Sequence, residues 1–228
     1  MQFFIFMNMK FFRLLLFLIP FTFTSCIEIL EEVNMNTNGS GNLVLTINAS
    51  QSKSQLDNLM TKDSIYDVKI PNRREIESSL AEISGKIKSI KGISNVTVTR
   101  DWTNYILVVK CTFENVNALN AAVNNIWLLF NKNAPVNSTY FTFSKGIFKR
   151  SFDYNLIKGI DKKLGAKEKD ILHKSRYTMI YRFGNEIKTY SNKVAMLSKS
   201  KKAIILKSTL LEIISGKKSV QNEITLTQ

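Results

Sequence analysis

Two cysteines, one histidine and a scatter of carboxylates are the residues of this chain equipped for covalent or acid–base chemistry. Cys26 closes the run Thr24-Ser25-Cys26, behind the apolar stretch Leu14 to Phe23 and the basic residues Lys10 and Arg13, with no acidic residue upstream. That is the order of an export signal: a positive n-region, a short h-region and a small-residue cut site. Cleavage before Cys26 would leave its thiol at the new N-terminus, able to carry a diacylglycerol. Cys111 is a different case, because it alternates in phase with Leu107, Val109 and Phe113 and is predicted to face a core. A thiol nucleophile needs an activating base, and the single histidine, His173, lies in the basic stretch Lys167 to Arg176, where an exposed position is expected. Glu75 and Glu77 fall on the first turn of a predicted helix, where carboxylates offset the helix dipole. Trp102, in the turn Asp101-Trp102-Thr103-Asn104, is the one candidate binding residue, since an exposed tryptophan among polar neighbours suits a contact or membrane-interface position.

Metal ligation needs clustered His, Cys or carboxylate ligands, and one histidine with carboxylates scattered among lysines supplies none. Neither a phosphate-cradling glycine loop nor a nucleophile elbow is present. No catalytic residue, metal or cofactor is therefore assigned, and the chain is expected not to be an enzyme.

The segment Phe23-Thr24-Ser25-Cys26 resembles the lipobox of bacterial lipoproteins, with an aromatic residue in the usually aliphatic first position. The resemblance implies lipidation of Cys26 and a chain anchored in the cell membrane or outer membrane, facing the periplasm or the cell surface. Residues 1–25 are then a signal peptide, begun at Met1, Met7 or Met9, of which Met9 gives the tidiest n-region. The stretch Phe11 to Phe23 is about thirteen residues and holds Pro20, short of the roughly 20 apolar residues of a membrane-spanning helix, so the chain is expected to be anchored without spanning. Lipidation leaves Cys111 as the only thiol, and no internal disulfide can form.

Removal of residues 1–25 takes away two basic residues and no acidic one, leaving 30 Lys+Arg against 18 Asp+Glu and a net charge of +12. The lysines are spread along the chain, clustering only briefly at Lys199 to Lys202 and Lys217-Lys218, and no arginine–aromatic nucleic-acid motif stands out. The expected partners are therefore the membrane itself, an anionic lipid surface or an envelope protein, and not nucleic acid. The full chain is 44% hydrophobic, and the roughly 200 residues after the signal segment suffice for one substantial core.

Ile27 to Val33 alternates in part and reads as a first strand, although Glu28, Glu31 and Glu32 also stand where acidic residues can act as a sorting signal. Asn38-Gly39 with Gly41 predicts a hairpin turn into the strand Leu43 to Ile47. Asn72 with Glu75 predicts a capping box, and Ile76, Leu80, Ile83, Ile87 and Ile90 form one helical stripe that Gly92 stops. Strands follow at Val96 to Arg100 and Tyr105 to Phe113, then a helix from Asn115 with Val116, Leu119, Val123, Ile126, Trp127 and Phe130 on one face, then a strand through Tyr140, Phe141 and Phe143. This order predicts an α+β fold with a ferredoxin-like split βαβ core, two helices on an antiparallel sheet. Further strands at Tyr177 to Phe183, Val194 to Leu197, Ala203 to Leu206, Thr209 to Ile214 and Ile224 to Leu226 predict an additional C-terminal β-rich layer. The chain thus divides into a signal peptide (1–25), a tether and first strand (26–41), an α+β core (42–152) and a β-rich extension (153–228).

The lipidated Cys26, the acidic-apolar first strand, the turn Asn34 to Gly41 and the late strand Ala203-Ile204-Ile205-Leu206 also resemble the LppM-type group of bacterial lipoproteins. That resemblance implies no catalytic residues. Together these features predict a non-enzymatic, lipid-anchored envelope protein serving as a binding or assembly module. The alternative is a carrier or sensor of a small hydrophobic ligand, held between the amphipathic helices and the C-terminal strands.

Overall fold

A computed structural model describes residues 27–62, 64–65, 68–69, 71–128, 137–152 and 164–227. In chain order the elements are β1 (Glu28–Met35), β2 (Gly41–Asn48), α1 (Lys53–Leu59), the two-residue strands β3 (Ser64–Ile65) and β4 (Val68–Lys69), α2 (Arg73–Lys88), β5 (Ile93–Asp101), β6 (Ile106–Phe113) and α3 (Val116–Trp127). There follow β7 (Phe141–Ser144), β8 (Ile147–Arg150), α4 (Ala166–Lys174), β9 (Arg176–Phe183), β10 (Ile187–Tyr190), β11 (Met196–Leu197), β12 (Ala203–Thr209), α5 (Leu210–Ile214) and β13 (Asn222–Leu226). The fold is α+β, with sheets dominating.

Local chemistry accounts for many of these boundaries. The β1–β2 turn is closed by the Asn36 N–H donating to the Ser40 carbonyl at 2.7 Å, and Asn38 Oδ1 accepts from the Ser40 N–H at 3.1 Å. Gly41 has no room for a Cβ, which would run into the Asn34 carbonyl oxygen. Helix α2 carries the expected capping box: Asn72 accepts from the Glu75 N–H at 3.0 Å, and Glu75 accepts from the Asn72 N–H at 2.9 Å. Leu80, Ile83 and Ile87 are its buried stripe, and Gly92 then turns the chain at φ 82°. Asn115 caps α3 by accepting from the Ala118 N–H. Phe130 lies outside the described residues.

Seven strands form the main sheet in the order β11-β12-β9-β1-β2-β6-β5, parallel between β1 and β9 and antiparallel elsewhere. A second, antiparallel sheet runs β10-β13-β8-β7. Alternation along each strand sends Val33, Met35, Leu43, Val109, Cys111, Phe113, Met179, Tyr181 and Phe183 to one face of the main sheet, where they join residues of α2, α3 and the second sheet in one core. Phe148 of the second sheet meets Tyr181 and Phe183 of the first at ring-centroid distances of 5.3 Å each.

Two expectations are corrected. A ferredoxin-like core would place Phe141–Ser144 beside Leu43–Ile47, but β7 pairs with β8 in the second sheet, and β1 occupies the place beside β2. β1 and β2 form a hairpin whose innermost pair is Met35↔Gly41, and with β6 on the other side of β2 neither edge of β2 is left for β7. The stretch Thr209 to Ile214, expected as a strand, is instead helical from Leu210. Thr209 Oγ1 accepts from the Glu212 N–H at 3.2 Å and Glu212 accepts from the Thr209 N–H at 3.1 Å, a second capping box that starts a helix where periodicity alone suggested β.

Candidate functional site

An apolar cavity lies between the main sheet and two helices. Ile29, Leu43, Leu45 and Ile47 of β1 and β2 form its floor, Val123, Ile126 and Trp127 of α3 one wall, and Leu210, Ile213 and Ile214 of α5 the other. The cavity holds about 160 Å³ and is partly open to solvent. Its position follows from register: Ile29 is paired with both Ile47 and Tyr177, at the end of the sheet where the described chain begins at Ile27. Ile27 is held there by its carbonyl, which accepts from the Arg176 N–H at 2.7 Å.

Within this apolar lining stands Glu31, only 8% exposed. Its place in the strand points it inward, in phase with Ile29, Val33 and Met35. Tyr177, also lining the cavity, donates its hydroxyl to Glu31 Oε2 at 2.5 Å, and Tyr181 donates to Oε1 at 2.6 Å. The two tyrosines flank Met179, the residue registered with Glu31 on the neighbouring parallel strand, so both hydroxyls reach back to one carboxylate. Arg150 arrives from the second sheet with Nε 3.8 Å from Oε1. Its guanidinium, in a side chain almost wholly buried, lies 5.0 Å from the Phe141 ring centroid and 5.7 Å from those of Tyr140 and Phe152. A buried carboxylate is tolerated only when paired and hydrogen-bonded, and here donors and a cation meet both conditions.

The wall made by α5 depends on Glu212. Burial raises its pKa, but bonds from the Thr209 N–H, from Lys218 Nζ at 3.0 Å and from the Ser208 hydroxyl at 2.9 Å outweigh that and hold the carboxyl at about 2. Because the folded value lies below the ordinary 4.5, the stabilisation is complete above that pH and is lost as the pH falls toward about 2. Wild-type protein is expected to exceed Glu212→Gln in stability by about 1–2 kcal/mol at neutral pH, after allowance for solvent screening. Urea midpoints measured stepwise from pH 6 to pH 2 should show the gap closing, and a constant gap would refute the assignment.

The residues singled out from sequence fall elsewhere. Cys26 lies outside the described residues. Cys111 is buried on β6, and desolvation pushes its thiol up to about 11, which keeps it protonated and unreactive at neutral pH. His173 is exposed on the last turn of α4, so the structure does not bring it to Cys111. Trp102 is half-buried and folded back on α2: its Nε1 donates to Glu77 Oε1 at 2.6 Å, with the Arg73 guanidinium 5.3 Å from its ring centroid. Glu77 lies beyond the first turn of α2, where Glu75 is the acidic residue, and pairs with groups outside that helix instead. The bond from Trp102, then that from Arg100, holds it below the usual carboxylate range. Trp102 does not line the cavity. Among the described residues no three His, Cys, Asp or Glu side chains gather as a metal site.

Glu31, Tyr177, Tyr181 and Arg150 were not anticipated from sequence as a site. The available signal was Glu31 itself, an acidic residue in the apolar phase of β1.

The arrangement defines an α+β domain with a small apolar cavity beside a buried, tyrosine-bound carboxylate. No family model and no curated protein sequence matches the chain. Among solved structures it is similar to the NMR structure of the folded domain of the Mycobacterium tuberculosis protein LppM, with a TM-score of 0.40 and 7% identity over 90% of this chain and 92% of that one. Among the described residues no helix is long and apolar enough to cross a membrane.

Proposed function

We propose that this chain is a non-enzymatic, lipid-anchored envelope protein whose folded part holds a small hydrophobic molecule. The observation that carries this reading is the cavity between the main sheet, α3 and α5, whose lining residues are apolar or aromatic apart from Glu31. Concave, mostly apolar sites with few placed polar groups are the usual form of small-molecule sites. The position of the cavity adds support: Ile29 lies three residues from Cys26, and at about 3.3 Å per residue that places a lipid anchor within roughly 10 Å along the chain. A ligand taken from the bilayer would then have a short path to the site, and the net positive charge favours an anionic membrane surface.

Two measurements test the parts separately. Metabolic labelling of the full chain with a clickable fatty acid is expected to mark the wild type and to fail with Cys26→Ala, which should also lose membrane retention. Label on the variant, or none on the wild type, would remove the anchor. Mass spectrometry of protein purified without detergent exchange is expected to find a small hydrophobic molecule that Val123→Trp, which fills the cavity from α3, no longer carries. Equal recovery from both would remove the binding function.

A further inference from the structure

Resting on the reading of this cavity as a ligand site, we propose that it selects an uncharged molecule with a short apolar body and a hydroxyl group, such as a phenol, and that Glu31 receives the hydroxyl. Size sets the first limit. About 160 Å³ is close to the roughly 150 Å³ of engineered apolar cavities that stay dry and bind benzene, and well short of the roughly 300–1,000 Å³ of sites for larger ligands. The enclosed part of the ligand is therefore of aromatic-ring size, and anything longer must leave through the open side.

Polarity sets the second limit. A carboxylate only accepts hydrogen bonds and offers about four lone-pair directions. Tyr181 uses one on Oε1, on the side where Arg150 also lies, and Tyr177 uses one on Oε2. Tyr177 and Glu31 line the cavity together, whereas Arg150 does not. Since Tyr177, the donor to Oε2, lines the cavity and Tyr181 and Arg150 do not, the ligand hydroxyl is assigned to Oε2. There a hydroxyl has an acceptor, while a ligand carboxylate would bring acceptor against acceptor and negative against negative charge in a largely apolar space, which is unfavourable. A ligand ammonium is disfavoured for a different reason: it must shed its hydration for a carboxylate that Arg150 already faces at 3.8 Å.

Three probes built on one benzene ring separate these terms: phenol, toluene and benzoate, titrated into the full chain in phosphatidylcholine nanodiscs with empty nanodiscs as reference. The readout is the saturable rise in melting temperature, converted to Kd. Phenol is expected to bind about tenfold more tightly than toluene, the hydrogen bond to a charged acceptor outweighing burial of the methyl group, and benzoate is expected not to bind. Val123→Trp should abolish binding of every probe, and Glu31→Gln should reduce the preference for phenol over toluene. Toluene equal to phenol, or saturable binding of benzoate, would overturn the selectivity and leave the cavity as a binding site. Binding by none of the three would overturn both. The comparison of probes is made on the wild type, so it stands even if Glu31→Gln does not fold.

Discussion

Arg150→Met is expected to lower the free energy of unfolding by about 3–5 kcal/mol, although methionine restores most of the apolar length of the side chain. Arg150 is 2% exposed, and the charge it faces, Glu31, is buried between β2 and β9. Attraction between buried charges seldom exceeds the cost of taking them out of water, so the pair contributes little net stability. Removing one partner is another matter, because the remaining carboxylate loses its compensating cation and keeps its desolvation cost. The physical signature is non-additivity. Glu31→Leu in the Arg150→Met background should recover a large part of the loss, whereas two independent sites would add their costs. Chemical denaturation of the two single variants and the double variant closes the cycle. A loss below about 1 kcal/mol for Arg150→Met, or simple additivity, would show that the pair is not coupled.

Phe148→Ala should cost a comparable amount, about 3–5 kcal/mol, by the lost transfer energy of the ring and the cavity left behind. Phe148 is fully buried and stands at the joint of the two sheets, with ring centroids of Tyr181 and Phe183 at 5.3 Å and of Phe141 at 5.6 Å. Phe148→Leu, which keeps most of the volume, should cost less than half as much. Since residues of both sheets share one core, unfolding followed by far-ultraviolet dichroism and by tryptophan fluorescence should give one transition in both variants. Separated transitions would mean that the second sheet melts independently and that the joint does not couple the layers.

Local signals in the sequence were sufficient wherever an element is specified by its own neighbours. Helix α2 was legible from Asn72, Glu75 and its isoleucine stripe, because a cap and a 3.6-residue repeat act within one helix. The hairpin β1–β2 and the strands β5, β6 and β12 were legible for the same reason: alternation and turn residues lie within a few positions of one another. The buried state of Cys111 followed from its phase with Val109 and Phe113. A capping box also stands at Thr209 and Glu212, where α5 begins inside an apolar run that by itself suggests β.

Strand partnership and the candidate site were decided by tertiary structure alone. Nothing near Phe141–Ser144 states that it will join β8 and not β2, and nothing near Glu28–Met35 states that it will lie parallel to a strand about 150 positions later. Such choices depend on which faces can be buried together, and closing a longer loop adds only slowly to the cost, so distance in sequence leaves many pairings open. The same holds for the cavity. Amino-acid order alone determined that Glu31 stands in the apolar phase of a strand. Only the fold brought Tyr177, Tyr181 and Arg150 to it from two other strands in two different sheets, because an inward-facing carboxylate is stable only where distant donors and a cation converge on it.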